Sequence, residues 1–253
     1  MKDQDLTEWN KWLLEVQDLE TFRIGRCLKP AGFSYVEKCE IHHFVDASEL
    51  GYGVTSYLRI LNGCGEIHCV LLTSKARVVP LKKITIPRLE LTAATLAVKQ
   101  QVVLSGQLQY VVHDVFYWTD SMAVLRYIWN TSTLFHTYVA NRLAVIHEGS
   151  DTSQWRYVPS EVNVADDVSR GLQVDQLVMS KRWINGPEFL WSDTQVWPEQ
   201  PTRSNVPDKD LEVKTTNVAD VSEVDVNRAR EIEQESNILS DVISRCSSPV
   251  GSS

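Results

Sequence analysis

The stretch IHHFVDASELGYGVTSYLRILNGCGEIHCVLLTS, residues 41–74, decides the fold. It contains three runs of similar length. IHHFVDAS is apolar up to an aspartate, GYGVTSYLRI alternates between two faces, and EIHCVLLTS is a third, largely apolar run. Such runs are typical of β-strands, and the glycines between them mark turns. Because strands joined by short turns pair antiparallel, the stretch predicts a three-stranded antiparallel meander.

The residues after the meander alternate between helix and strand patterns. TIPRLELTAATLAVKQQVV, residues 85–103, has a proline near a helix start and apolar residues at helical spacing. Residues 110–129 predict a strand followed by a helix, residues 136–149 another helix, and QWRYVP at 154–159 a fifth strand. Strands separated by helices pair in parallel. The order predicts an α/β fold with a five-stranded mixed sheet, three antiparallel strands and then parallel strands, flanked by helices.

Composition divides the 253 residues into three parts. Residues 1–40 predict a leading helix and a connecting strap, and residues 41–192 hold the α/β domain. Beyond about residue 200, Ser, Asn, Asp and Pro replace aromatic residues, and residues 193–253 are predicted to form a mostly disordered acidic linker. Within it, NRAREIEQESNILSDVISRC at 227–246 predicts an amphipathic helix.

The overall charge and hydropathy restrict the class of protein. A formal net charge of −8 argues against coating nucleic acid by bulk electrostatics, although it leaves local contacts open. The first residues are too polar for a secretory signal, and no apolar run is long enough to cross a bilayer. Five scattered cysteines fit reduced thiols. These features predict an intracellular protein, cytoplasmic or nuclear, that is neither secreted nor bound to a membrane.

Carboxylates interrupt the apolar elements at their ends. Asp46 follows the first strand, Glu90 lies near the start of the first long helix, Asp120 follows the fourth strand, and Asp166 and Asp167 come after the fifth. Each has a purely structural interpretation as a turn residue, a helix cap or a partner of a helix dipole. Strand ends nevertheless gather at one rim of such a sheet, so the joint pattern predicts that the acids converge. A cluster of hard oxygen ligands favours Mg²⁺ or Mn²⁺ over zinc.

Several longer motifs occur in the order of a known family. They are FVDAS, SKARVVPLKKITIPRLEL, WTDSMAVLRYI, HTYVANRLAVI, WRYVPSEVNVADDVSRG and WINGPEFLW. In this order they closely resemble the ribonuclease H region of the Pol polyprotein of BEL/Pao-type LTR retrotransposons, over roughly Trp9 to Trp191. No polymerase signature precedes the region, and the chain stops before any ligands of an integrase zinc module. It is therefore expected to be a fragment without reverse transcriptase or integrase, and the reverse transcriptase of the same element is a candidate partner.

The resemblance implies a ribonuclease H-like fold and a hydrolase, a Mg²⁺-dependent endonuclease that cleaves the RNA strand of RNA–DNA hybrids with two metal ions. Asp46, Glu90 and Asp120 match the first three catalytic, metal-binding acids of that family. Asp46 is then the candidate to bridge both ions, Glu90 and Asp120 to hold the ion nearer the leaving group, and the fourth acid to hold the ion with the attacking water.

The fourth acid depends on how the motif is counted. An aspartate three residues before Ser169 selects Asp166, whereas counting forward from the asparagine that often precedes this acid selects Asp167. Because neighbouring helical residues point about 100° apart, one of the two belongs to the cluster and the other faces water or caps the turn. Asp166 is the preferred ligand and Asp167 the alternative.

Nucleic-acid contacts are expected beside this site. Backbone amides near Gly51 and Gly53 are candidates to contact 2′-hydroxyls across the minor groove. The acid-free stretch Ser74–Arg88 is a candidate to contact phosphates, the alternative being a solvated basic loop. Its basic residues are Lys75, Arg77, Lys82, Lys83 and Arg88.

One departure from the family keeps a second function open. Many ribonucleases H have a histidine in the loop before the last aspartate, but PSEVNVA contains none. This absence, the net negative charge and the missing companion modules favour an inactive retroelement remnant, or a domesticated domain that binds nucleic acid or protein. The intact acids favour the nuclease.

Overall fold

The first three strands form the predicted meander in the computed structural model of the chain, which describes residues 3–25, 27–207 and 209–214. β1 (Val36–Ala47) pairs antiparallel with β2 (Gly51–Asn62), and β2 pairs antiparallel with β3 (Ile67–Val78). The tight β1–β2 turn is closed by the amide of Ser48, which donates to the carbonyl oxygen of Gly51 at 2.8 Å.

The remaining strands extend the sheet beyond β1 in parallel. β4 (Asp114–Thr119) pairs parallel with β1, and the short β5 (Trp155–Tyr157) pairs parallel with β4. The strand order is β3-β2-β1-β4-β5, which places β1 in the centre. The predicted five-stranded mixed sheet is therefore confirmed.

The helices between the meander and residue 150 fall where the periodicity predicts them, whereas the leading helix is shorter than predicted and the two short helices over residues 174–179 and 181–185 have no counterpart in the prediction. Helical spacing continues to about residue 19 in the sequence, but the first α-helix ends at Glu15 and gives way to a 3-10 turn over Val16–Thr21. The α-helices are α1 (Asp3–Glu15), α2 (Ile86–Gln107), α3 (Met122–Trp129), α4 (Thr137–Gly149), α5 (Asp166–Arg170), α6 (Val174–Met179) and α7 (Lys181–Asn185).

The two faces of the sheet carry different cores. On one face, Val45, Val54 and Tyr117 pack with buried residues of α2, α3 and α4. On the other face, an aromatic layer that includes Phe44, Tyr57 and Trp118 is covered by residues 187–197 through Leu190 and Trp197. The acids discussed below lie at the end of the strands that separate these two cores.

A buried ion group fastens the covering segment to the sheet. Arg59 on β2 donates to Glu40 on β1 at 2.5 Å and, through its other nitrogens, to the carbonyl oxygens of Leu190 at 2.7 Å and Ser192 at 2.9 Å. The ammonium of Lys38 lies 2.7 Å from the other oxygen of Glu40. Both charges of the Arg59–Glu40 pair are thus buried and matched.

The segment after residue 193 packs on the domain as far as it is described. The side-chain amide of Gln200 donates to the carbonyl oxygen of Tyr157 and accepts from its amide, at 3.1 and 2.8 Å, along the free edge of β5. Val206 is buried, and Val213 forms an isolated antiparallel bridge with Phe135. Within this part of the predicted linker, Trp197 and Val206 are buried, whereas Val196 and Leu211 are exposed.

The contacts divide the chain into a compact unit over Met1–Val213 and a second unit over Lys214–Ser253, of which Lys214 alone is described. The amphipathic helix predicted over residues 227–246 lies outside the described residues.

Candidate active site

Asp46 lies near the end of the central strand, one residue before β1 ends. Its carboxylate is 7% exposed and accepts a hydrogen bond from the hydroxyl of Ser169 on α5. A second contact ties the same two elements, because the hydroxyl of Ser48 donates to the carbonyl oxygen of Ser169 at 2.7 Å. Asp46 is therefore held between β1 and α5.

Glu90 lies in the second turn of α2, at the same end of the sheet. The helix begins after Thr85 with Pro87 in its first turn, as the sequence predicts. The carboxylate of Glu90 accepts from the hydroxyl of Ser121 at 2.6 Å. Ser121 also caps α3, because its oxygen accepts from the amide of Val124 at 3.3 Å. One serine thus joins the start of α3 to Glu90.

Asp120 follows the last residue of β4 and is held by two residues from the loop before α5. Ser160 donates its hydroxyl to Asp120 at 2.6 Å, and the amide of Asn163 donates to the other carboxylate oxygen at 3.3 Å. Asn163 is fully buried and also donates to the carbonyl oxygen of Val45 at 3.1 Å. Its own oxygen accepts from the amide of Ala165 at 3.2 Å. Asn163 therefore connects the ends of β1 and β4 to the start of α5.

The aspartate doublet diverges in the structure. Asp166, the first residue of α5, pairs with Arg170 one turn later. Asp167 instead lies 3.4 Å from the guanidinium of Arg182 on α7. Arg182 also donates to the carbonyl oxygen of Glu161 at 2.8 Å, so this pair bears on the loop before α5. Of the two, Asp166 acts electrostatically on Asp46, which places it on the side of the other acids.

Burial and mutual repulsion perturb the two most buried acids. Burial raises the pKa of Asp46 to about 6, with further increases from the charges of Asp120 and Asp166, against the hydrogen bond from Ser169. Burial raises the pKa of Glu90 to about 7, aided by the charges of Asp120 and Asp46 and opposed by the Ser121 hydrogen bond. The four carboxylates Asp46, Glu90, Asp120 and Asp166 therefore share one electrostatic environment.

The four carboxylates are of the chemical type that binds a divalent cation, but they lie too far apart to coordinate one together. Across residues 3–25, 27–207 and 209–214, no three His, Cys, Asp or Glu side chains lie close enough together to hold a metal ion. Three of the four acids each accept a hydrogen bond from a serine hydroxyl. Their hard oxygen donors, and the raised pKa values of two of them, nevertheless fit a cation such as Mg²⁺.

The predicted nucleic-acid residues differ in their surroundings. Gly51 and Gly53 lie buried under α5, where a Cβ on Gly53 would meet Val168 at 2.4 Å, so close packing explains both glycines. Arg88 is bound by Glu212 through two hydrogen bonds of 2.6 and 2.9 Å. The other four basic residues of the block are exposed and form no ion pair within the described ranges. They are Lys75, Arg77, Lys82 and Lys83.

Sequence reasoning missed the residues that hold the acids. They are Ser121, Ser160, Asn163, Ser169, Arg170 and Arg182. Two carried a usable signal: Ser169 and Arg170 follow Asp166 by three and four residues, the spacing that puts side chains on one face of a helix. Ser160 and Arg182 carried none, because their contacts join positions 40 and 15 residues apart.

The comparison with family models links the first half of the chain to retrotransposons. A family model described as "Pao retrotransposon-like RNaseH-like domain" matches residues 1–121. This range includes Asp46, Glu90 and Asp120. Among curated proteins nothing matches the chain. None of the described helices is both long and apolar enough to cross a membrane.

Solved structures with a similar chain path include three ribonucleases H. The N-terminal RNase H domain of a Mycobacterium tuberculosis protein is 13% identical with a TM-score of 0.36, and the match covers 54% of this chain and 98% of that one. LC11-RNase H1 in complex with an RNA/DNA hybrid is 15% identical with a TM-score of 0.37, covering 55% and 99%. RNase H1 from Halobacterium salinarum is 14% identical with a TM-score of 0.34, covering 52% and 93%.

Proposed function

We propose that the chain is a divalent-cation-dependent endonuclease, because residues 1–121 match a family model of the Pao retrotransposon-like RNaseH-like domain and the five strands form a mixed sheet. Its proposed substrate is the RNA strand of an RNA–DNA hybrid. The proposed reaction is hydrolysis of a phosphodiester to a 5′-phosphate and a 3′-hydroxyl.

The observation that carries this proposal is that four acids from distant parts of the sequence lie at the same end of the sheet. β1, α2, β4 and α5 each bring one carboxylate to the same end of the sheet, and two of these carboxylates have raised pKa values. Such a cluster lowers stability when all its members are ionised, unless cations neutralise it. The placement of these acids at one edge therefore supports the proposal of a cation site there.

Asp46, Glu90, Asp120 and Asp166 would hold the cations. When bound, divalent ions supply an activated water and stabilise charge on the leaving oxygen. The chain itself contributes orientation. The hydroxyls of Ser169, Ser121 and Ser160 direct three carboxylates, and each can remain on one oxygen while the other turns towards a ligand.

Arg170 is a cation that the described part of the chain places beside these acids. It pairs with Asp166 and also interacts electrostatically with Asp46 and Asp120. In the metal-free protein it therefore offsets part of the negative charge. Its guanidinium is largely exposed, so it is free to meet a phosphate once cations neutralise Asp166.

The test compares the two ends of one strand. The purified chain is incubated with a labelled RNA–DNA hybrid in Mg²⁺ or Mn²⁺, beside Asp120→Asn and the control Asp114→Asn. Asp114 begins β4 and pairs with exposed Lys38, whereas Asp120 follows the other end of the same strand. We expect cleavage of the RNA strand alone, lost in Asp120→Asn and Asp46→Asn and retained in Asp114→Asn. No cleavage by the native chain, or equal cleavage by all variants, contradicts the proposal.

The separation of the acids supports a second candidate function, binding of the hybrid without cleavage. Each of the four carboxylates already has a hydrogen-bonding or charged partner within the protein. A protein of this second kind would bind the hybrid with equal affinity before and after Asp46→Asn, and would leave it intact in both metals.

A further inference from the structure

A groove with an unusual charge lies beside α2, outside the cluster of acids. It consists of two adjoining cavities of about 310 and 420 Å³ that share Leu96 and Lys99. Its walls come from β2, β3, α2 and α4, and none of its lining residues is acidic. Its cations are Lys75, Arg77, Lys99 and Arg142, called here the basic groove. An acid-free row of four cations stands out in a chain of net charge −8.

Arg142 is fixed in this groove by uncharged groups. Its Nε donates to the hydroxyl of Thr92 at 2.9 Å, and one terminal nitrogen donates to the carbonyl oxygen of Tyr138 at 2.9 Å. The guanidinium carbon lies 3.4 Å from the centre of the Tyr138 ring. These contacts use two of the five N–H groups of a guanidinium. Arg142 is therefore held in place while its charge has no carboxylate partner among the described residues.

A neighbouring arginine shows which kind of ligand such a guanidinium binds. Arg88 stands over the same ring, 5.0 Å from its centre, and its fork is filled by both oxygens of Glu212. The chain thus supplies a planar anion to one of the two arginines on Tyr138 and none to the other. A guanidinium fixed in advance loses little entropy when it binds an oxyanion.

We propose that the basic groove binds the phosphodiester backbone of a nucleic-acid strand, as a contact separate from the acids. This inference rests on the proposed function, whose substrate it would help to hold. Thr92 and Lys99, seven residues apart on α2, span about 10 Å at ~1.5 Å per residue. That span matches about three phosphates at ~3.4 Å per nucleotide. The remaining polar lining includes Thr95 and Asn141, which suit sugar and phosphate oxygens.

The groove is distinct from the cluster around Glu90. Lys99 follows Glu90 by nine residues, so at about 100° per residue it projects from the opposite side of α2. The groove also extends the predicted basic stretch of β3 onto two helices, through Lys99 and Arg142. Contacts to phosphate without contacts to base edges make the binding independent of sequence.

The experiment measures binding rather than cleavage. A fluorescein-labelled RNA–DNA hybrid of about 20 base pairs is titrated with Asp46→Asn protein over a series of KCl concentrations. The test variant adds Lys75→Gln, Lys99→Gln and Arg142→Gln, and the control variant instead adds Lys11→Gln, Lys29→Gln and Arg203→Gln. The control removes the same charge, and Arg203, like Arg142, lies over an aromatic ring. Circular dichroism checks that both variants fold.

We expect the test variant to bind at least tenfold more weakly at ~100 mM salt, with a smaller salt dependence. The slope of log K against log[KCl] should fall by roughly 0.9 for each phosphate that the variant no longer neutralises, up to about three phosphates. The control should change affinity less than about threefold. Equal slopes and affinities for the two variants overturn the inference, as does a native chain that binds no hybrid.

Cleavage assays separate this inference from the proposed function. If the native chain cleaves the hybrid normally and the test and control variants bind it equally, the groove inference is wrong and the proposed nuclease function is supported. If the native chain binds the hybrid through the basic groove but never cleaves it, the proposed nuclease function is wrong and the groove inference is supported. A third variant, Arg142→Lys, keeps the charge but loses the fixed fork, so we expect it to fall between the native affinity and that of Arg142→Gln.

Discussion

Two carboxylates on the central strand show opposite solutions to the burial of charge. Glu40 and Asp46 lie six residues apart on β1, so their side chains project from the same face of the sheet. Their exposed fractions are 1% and 7%. Burial alone would raise both pKa values, yet the pKa of Glu40 is lowered to about 2 and that of Asp46 is raised to about 6.

The neighbours of the two groups explain the difference. Around Glu40, contacts from His42, Lys38 and Arg59 outweigh the effect of burial. Around Asp46, the nearby charges are those of Asp120 and Asp166, and the hydroxyl of Ser169 opposes them only in part. The negative charge of Glu40 is thus neutralised by cations of the same chain. The repulsion around Asp46 is of the kind that an external cation would relieve. On the proposed function, this difference separates a binding edge from a structural core.

The largest expected effect is a loss of stability on removal of the charge of Glu40. Glu40→Gln leaves Arg59 buried with an unmatched charge, so we expect the free energy of unfolding to fall by about 3–5 kcal/mol. Urea denaturation followed by tryptophan fluorescence measures this change. Glu37→Gln, on the exposed start of the same strand, is the control and should stay within about 0.5 kcal/mol. A Glu40→Gln protein as stable as this control would show that the buried pair is not needed.

The next effect is a loss of hybrid cleavage, and it compares the two neighbouring aspartates Asp166 and Asp167. Asp166 acts electrostatically on Asp46 and lies on the side of the other acids, whereas Asp167 faces Arg182. On the proposed function, Asp166→Asn should lower kcat/KM on the hybrid by roughly 100-fold or more, and Asp167→Asn by less than about tenfold. Steady-state cleavage of the labelled hybrid gives both values. The reverse order of effects would assign the fourth acid to Asp167.

A smaller effect concerns the pH dependence of stability. Asp46 titrates near pH 4 when unfolded and at about 6 in the folded protein. Between these values the folded state binds more protons, so stability falls as the pH rises through this window and stays low above it. Asp46→Asn removes this penalty. It should be more stable than the native chain by about 1–3 kcal/mol at pH 8 and equally stable near pH 3.5, where both states are protonated.

Thermal unfolding at the two pH values measures this difference, in metal-free buffer. Asp114→Asn serves as the control, because its carboxylate is exposed and paired with Lys38. A loss of stability at pH 8 in Asp46→Asn would mean that the charge of Asp46 is compensated after all.

The smallest expected effect is stabilisation by the cation itself. A ligand present at tenfold its dissociation constant stabilises the folded state by about 1.4 kcal/mol. We therefore expect Mg²⁺ to raise the melting temperature of the native chain by a few degrees at pH 8 and to have little effect on Asp46→Asn or Glu90→Gln. An ionic-strength match with KCl is the control. Equal shifts in all three proteins would point to a general salt effect.

The sequence predicts the frame of this site better than its interior. The meander, the helix after Pro87 and the acids at element ends follow from alternation, helical spacing and turn residues, all of which are local. The contact between Ser160 and Asp120 spans 40 residues, and that between Arg88 and Glu212 spans 124. Local patterns contain no information about such pairs, since they depend on how the elements pack. The packing of Val206 was missed for the same reason.

The amide of Gln200 has a consequence for how this molecule meets others of its kind. A strand at the border of a sheet offers unpaired N–H and C=O groups to any extended chain that arrives. At Tyr157 both groups are already taken by one glutamine side chain, which imitates a peptide unit. An extended chain from another copy therefore finds no free backbone group at Tyr157, and Gln200 protects this point of the border from edge-to-edge pairing.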